Sequence, residues 1–117
     1  MTIGVYTVTL PLPPSANHLF ANAFEGGRRK TKRYAQWIIA AGWELKFSGL
    51  WAVRGPVKIT ITVPQKMLGD VDNRIKAAVD LLVAHRRIDD DKHVQSVSIS
   101  RCGTVAPRKC RVMVGPA

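Results

Sequence analysis

The stretch Val57-Lys58-Ile59-Thr60-Ile61-Thr62-Val63 alternates apolar and polar residues without a fault, and Pro64 ends it. A period of two throws successive side chains to opposite faces, so this segment is a strand with one buried and one wet face. Such a strand needs neighbours in a sheet and an apolar layer over its buried side. The rest of the chain supplies both. Ile3–Leu10 is rich in β-branched and aromatic residues and runs into Pro11, Pro13 and Pro14, which marks a first strand. From about Thr31 the apolar period becomes helical: Tyr34, Trp37, Ile38, Ala41 and Leu45 form one stripe, closed off by Gly49, Gly55 and Pro56. A second stripe, Val71, Ile75, Ala78, Val79 and Leu82, predicts a helix from about Val71 to Ala84. Val94–Arg101 and Lys109–Val114 read as a closing pair of strands around a turn at Gly103–Pro107. The predicted order is β-α-β-α-β-β. This is an α/β fold, one mixed sheet with two main helices packed on it.

A chain of 117 residues with 46% hydrophobic content is expected to form a single domain, residues 1–117, with a packed core. No apolar run approaches the ~20 residues that span a bilayer. The N-terminus lacks the basic region and uninterrupted apolar stretch of a signal peptide, so an intracellular, cytoplasmic location is expected. Eighteen Lys and Arg against eight Asp and Glu leave a formal charge of +10. Such an excess gathers polyanions, and nucleic acid is the first of them. A ribosomal-type or merely basic protein would carry the same excess. A membrane-surface role is disfavoured, because no helix pairs a basic face with a strongly apolar one.

Against that background the acids stand out. Asp70-Val71-Asp72-Asn73 opens the second helix after Gly69, and Asp89-Asp90-Asp91 lies downstream. The simplest role for the first pair is capping, with Asp72 as the N-cap and a second carboxylate at the positive helix end. Capping needs only one carboxylate, however. Asp-x-Asp in extended geometry puts both groups on one side, where they repel unless a cation lies between them. A helix over Val71–Ala84 is ~21 Å long. The six residues from His85 to Asp90 can span about 20 Å, so Asp91 can reach back to Asp70 and Asp72. Hard divalent cations such as Mg²⁺ choose carboxylate oxygens and serve phosphodiester hydrolysis.

Lys76 lies one turn after Asp72 and shares its helix face. It is either an ordinary i,i+4 salt-bridge partner or a charge beside a scissile phosphate. Arg28, Arg29, Lys30, Lys32 and Arg33 crowd the approach to the first helix beside Gly26-Gly27. They are either a solvated loop or a mobile clamp for DNA phosphates. Trp37 belongs to the apolar stripe and is expected in the core, whereas Trp43 lies off it and suits an interface. Cys102 and Cys110 flank the predicted turn, facing each other across a hairpin, and are expected as free thiols. Neither they nor His18, His85 and His93 show zinc-ligand spacing.

Three blocks in order resemble the RusA family of Holliday-junction resolvases over nearly the whole chain. Leu10-Pro11-Leu12-Pro13-Pro14-Ser15-Ala16-Asn17 is similar to the family's Pro-Pro-Ser-x-Asn. Asp70-Val71-Asp72-Asn73-Arg74-Ile75-Lys76 is similar to its Asp-x-Asp-Asn-x-x-Lys, and Asp90-Asp91-Lys92-His93-Val94 to its Asp-Asp-x-x-Val. The resemblance implies a homodimeric endodeoxyribonuclease that uses Mg²⁺, with Mn²⁺ as a substitute, and nicks opposed strands of branched DNA in recombination and repair. It implies metal-binding roles for Asp70, Asp72 and Asp91 and a catalytic role for Lys76. Asp89 adds an acid to the usual pair, and the match to Val94 selects Asp91. The segment Gln65-Lys66-Met67-Leu68-Gly69 is less basic than the family leads one to expect, which leaves room for an altered substrate preference. A two-fold dimer would present two identical sites to a two-fold junction. A non-catalytic nucleic-acid-binding module, and a nuclease of flaps, forks or RNA, are the competing readings.

Overall fold

The computed structural model describes residues 4–22 and 27–117. Strand β1 (Tyr6–Pro11) leads through a 3-10 turn at Ala16–His18 to a small hairpin, β2 (Phe20–Asn22) and β3 (Arg28–Lys30). Helix α1 (Lys32–Phe47) and strand β4 (Val57–Pro64) follow. A 3-10 turn at Val71–Arg74 runs directly into helix α2 (Ile75–Ala84), and another at Asp91–His93 precedes β5 (Val94–Cys102) and β6 (Lys109–Pro116). Apart from the added hairpin, this is the predicted order. Ile3, the expected start of the first strand, lies outside the described residues.

The main sheet has the order β1-β6-β4-β5. β6 is antiparallel to both β1 and β4, while β4 and β5 run parallel, with Ile61 opposite Ile99. The closing strands therefore do not pair with each other, as the sequence suggests they would, because β4 lies between them. Burial explains the placement. Cys110, Val112 and Val114 are fully buried, as a central strand requires, whereas Val94, Val97 and Ile99 on edge strand β5 are only half-buried. Cys102 and Cys110 consequently face no common hairpin, and both thiols are free.

Val57, Ile59, Ile61 and Val63 of β4 point into the core with Val8 and Leu10 of β1. Tyr34, Trp37, Ala41 and Leu45 of α1 and Ala78, Leu81 and Leu82 of α2 close over them. Each such large side chain contributes about 1.5–3 kcal/mol when fully buried. The other sheet face carries Thr7, Thr9, Lys58, Thr60, Ser96, Ser98 and Ser100, all exposed. α1 begins where it does because the Thr31 hydroxyl accepts from the Tyr34 N–H at 3.2 Å and donates to the His18 carbonyl at 2.6 Å. A cap of this kind is worth about 1 kcal/mol. The Trp37 indole N–H donates to the Pro11 carbonyl at 2.9 Å, tying α1 to the end of β1.

α2 stops in a Schellman arrangement: the N–H of Arg87 meets the Leu82 carbonyl and that of Arg86 the Val83 carbonyl. Arg86 takes the left-handed conformation there, with φ of 56°, where glycine is usual. Arg87 is buried, and its guanidinium donates to the carbonyls of Leu45, Gly49 and Trp51. It thereby satisfies the carbonyl end of α1 from the end of α2. No helix of the described residues is long and apolar enough to cross a membrane.

Candidate active site

The loop between β4 and α2 carries the first acidic pair, and two arginines hold its backbone. Arg101, near the end of β5, donates to the carbonyls of Gln65, Met67 and Gly69, the last at 2.9 Å. Arg74 donates to the Leu68 carbonyl at 3.4 Å and to Pro13 of the first motif at 2.7 Å. Burial, and then the nearby Arg33, lowers the Arg74 pKa. Gly69 turns the chain with φ of 85°, a conformation in which a side chain would be strained.

Asp70 follows in extended geometry and occupies the cap position of the 3-10 turn, but its carboxylate makes no capping hydrogen bond. Asp72 lies inside that turn. Capping therefore does not account for the pair, and Asp72 is not the N-cap. The two acids also do not form the extended Asp-x-Asp expected from sequence, because the chain bends between them. Both are exposed, and neither has a hydrogen-bond or ion-pair partner among the described residues.

A cavity of about 360 Å³ opens beside this loop. Ser15, Asn17, His18 and Arg33 line it from one side, and Asp70, Asn73 and Arg74 from the other. The first motif, the last cation of the basic run and the central motif thus share one depression. On its near wall the Ser15 hydroxyl lies 3.0 Å from His18 Nδ1, which fixes the short turn. Arg74 is the bolt between the two motifs. In the sequence it figures only as part of a matching block.

Lys76 does not pair with Asp72. Its Nζ lies 3.3 Å from Asp80, one turn further along α2, with both side chains exposed. The spacing Asp72-x₃-Lys76-x₃-Asp80 is present in the sequence, and two carboxylates four residues either side of the lysine leave its partner undetermined there.

The downstream acids divide by task. Asp89 accepts from Arg54 at 2.9 Å and from the Gly55 N–H at 2.9 Å, which hold its carboxyl below the usual range. Asp90 caps the turn at Asp91–His93 by accepting from the Lys92 N–H. A hydrogen bond shared between the Asp90 and Asp91 carboxyls, and the charge of Asp90, push Asp91 up. Asp89 thus ties the end of the α2–β5 connection to the loop before β4.

Asp91 does not reach back to Asp70 and Asp72. β4 and β5 are parallel, so Asp70, beyond the end of β4, and Asp91, before the start of β5, lie at opposite ends of the β4–α2–β5 unit. Among the described residues no group of three or more His, Cys, Asp or Glu is gathered to hold a metal ion. The reach of the connecting segment allowed the approach, but it is spent instead on Arg87, Ile88 and Asp89, which lock into α1 and the loop before β4.

Arg28, Arg29 and Lys30 form strand β3, and Lys32 and Arg33 open α1. All five side chains are exposed. The run is therefore built into a hairpin and a helix start rather than forming a loop, with Arg28 over the Phe20 ring at 5.4 Å. Gly26 of the expected clamp lies outside the described residues. Trp37 is buried and Trp43 exposed, as their places on and off the stripe require.

No curated protein sequence matches the chain. The profile of the family described as Endodeoxyribonuclease RusA matches residues 11–114, which include all three motifs, and the chain belongs to that family.

Proposed function

We propose that this protein is a Mg²⁺-dependent endodeoxyribonuclease that resolves four-way DNA junctions as a homodimer, acting in recombination and repair in the cytoplasm. A single endonuclease domain spans residues 1–117 in this reading. The observation that carries it is the placement of Asp70 and Asp72. Two carboxylates without a partner among the described residues stand on a loop pinned by Arg74 and Arg101, beside a cavity that also receives Arg33.

Carboxylate oxygens are the donors a hard divalent ion takes, and these two are uncommitted. Asp70 and Asp72 would hold Mg²⁺, with Mn²⁺ as a substitute. The ion would supply an activated water and neutralise charge developing on the phosphoryl oxygens. Arg28, Arg29, Lys30, Lys32 and Arg33 bind the DNA backbone and orient it toward the acids. Lys76, one turn into the helix, stabilises the charge of the phosphate under attack. Asp91 lies too far along the fold to join Asp70 and Asp72 of its own chain, so the third carboxylate comes from the second copy.

The surface of α1 supports that second copy. Ile39, Trp43 and Phe47 recur every four residues, are 64%, 56% and 79% exposed, and continue to the fully exposed Leu50. An apolar stripe of this extent on one helix is the kind of surface that partners cover. A two-fold dimer matches the symmetry of the junction.

Nicking of synthetic four-way junctions with and without Mg²⁺, mapped on both strands, tests the reading. Forks, flaps and linear duplex serve as competing substrates. Asp70→Asn or Asp72→Asn should abolish cleavage while junction binding stays equal or tightens, because the carboxylates repel phosphates. Near-normal nicking by either variant would remove the metal site, and preferential cutting of forks or flaps would replace the substrate.

A further inference from the structure

Leu68 stands two residues before Asp70 with 85% of its surface exposed, although the backbone beneath it is held. The carbonyls of Gln65, Met67, Leu68 and Gly69 all accept from Arg101 or Arg74. The held backbone presents this exposed leucine at a defined place beside Asp70.

Behind it lies a second cavity, of about 660 Å³, that the nuclease reading leaves unused. Leu12, Pro64, Met67, Val105 and Pro107 give it apolar walls, and Lys66, Arg74 and Arg108 give it a cationic rim. Among the described residues no carboxylate lines it. The rim is anchored, since the Leu12 N–H donates to the Arg108 carbonyl at 2.8 Å. Leu68 and Arg74 line both this cavity and the one beside Asp70, so the two are neighbours across these side chains.

We propose that Leu68 is a wedge inserted between base pairs at the branch point, and that the cavity behind it seats the nucleobase so displaced. The inference rests on the DNA-junction reading above. Leucine is among the side chains that nucleic-acid-binding proteins insert between base steps. An unstacked base offers an apolar face attached to an anionic backbone. Apolar walls under a rim of three cations complement both parts. The volume falls within the range of small-molecule sites. The position next to Asp70 would bring the phosphate of the displaced nucleotide to the carboxylates.

The test places 2-aminopurine at each position flanking the branch point of a synthetic junction, whose fluorescence rises when the base unstacks. Binding is measured without divalent ions, so the readout is independent of cleavage, and nicking is measured separately with Mg²⁺. The parent should brighten one flanking position several-fold. Leu68→Ala should cut that enhancement by half or more and slow nicking about tenfold, the low end of what stacking a base contributes. Gly103→Trp is the second variant: a Cβ at this cavity-lining residue meets nothing within 4 Å, so the chain has room for a bulky group placed there to obstruct the cavity. It should abolish the enhancement at unchanged melting temperature.

No brightening by a parent that binds and nicks the junction overturns the proposal and leaves the nuclease reading intact. A drop with Leu68→Ala alone overturns the cavity as the seat of the base. If Gly103→Trp instead alters the oligomeric state without DNA, the cavity receives a second copy and the base site is overturned. A parent that brightens the probe but never nicks refutes the nuclease and supports the base site.

Discussion

Replacing Lys76 by Met separates a structural lysine from a catalytic one. The only ion pair that Lys76 makes among the described residues is with Asp80, at 3.3 Å, with side chains 58% and 41% exposed. An exposed i,i+4 pair of this kind contributes about 0.3–0.5 kcal/mol, and solvent screening argues for the low end. Losing it should lower Tm by roughly 3 °C or less in a domain of this size. Asp80→Asn removes the same pair and should give the same small thermal shift. The effect on chemistry is of another order. One positive charge facing the phosphate in a partly dehydrated site supplies about 2.7 kcal/mol or more to the transition state, a hundredfold in rate. Lys76→Met should therefore keep the fold and bind junctions with modestly reduced affinity. Its single-turnover nicking should fall by about two orders of magnitude. If nicking stays within a few-fold of the parent at unchanged stability, Lys76 acts only through Asp80 and the catalytic assignment fails.

Neutralising Arg29, Lys30 and Arg33 together should weaken binding to all DNA. The slope of log K against log salt should fall by about 0.9 for each phosphate that is no longer neutralised. A salt titration that returns the parental slope would make the run a solvated surface. Trp43→Glu places a charge in the exposed stripe of α1 and should yield monomers by light scattering, with loss of junction cleavage. A dimer that persists would place the interface elsewhere. Burial pushes the Cys110 thiol up to about 12, whereas hydrogen bonds from Thr104 lower that of half-buried Cys102. A disulfide reagent at pH 8 should therefore titrate one thiol in the native protein and two after unfolding, since the thiolate is the reacting form. Two fast thiols in the native state would refute the burial argument.

Much of this fold was legible because local patterns and tertiary packing agree. The faultless alternation of Val57–Val63 became β4, and the two stripes became α1 and α2 because each supplies the core it implies. Strand neighbours were not legible in the same way. Val94–Arg101 and Lys109–Val114 each suit several positions in a sheet, and a turn between them suggests pairing. What settles the order is depth of burial, complete for Cys110, Val112 and Val114, and that is a property of the whole sheet. The candidate site divides along similar lines. Asp70 and Asp72 were visible from their motif, yet Arg74 and Arg101 act on backbone carbonyls, which leave no trace in side-chain spacing. The separation of Asp91 follows from the parallel sense of β4 and β5, which no local pattern encodes. Chain reach set only an upper limit on that distance.

The position of β6 governs the order in which this protein can assemble. Among the described residues β1 has no sheet partner except β6, and Tyr6 pairs with Val114 almost the whole described length away. During synthesis β1 therefore emerges first but stays without a docking edge until residues 109–116 have been made. α1, β4, α2 and β5 can associate earlier, since they lie closer to one another along the chain. They would leave the free edge of β4 open until β6 inserts beside it. Late closure of so long a loop slows folding, and the waiting edges are where unfinished chains would adhere to one another. Cleavage-competent protein should thus appear only after residues 109–116 have left the ribosome and paired. Slow translation of the stretch before Lys109 would lengthen the vulnerable interval.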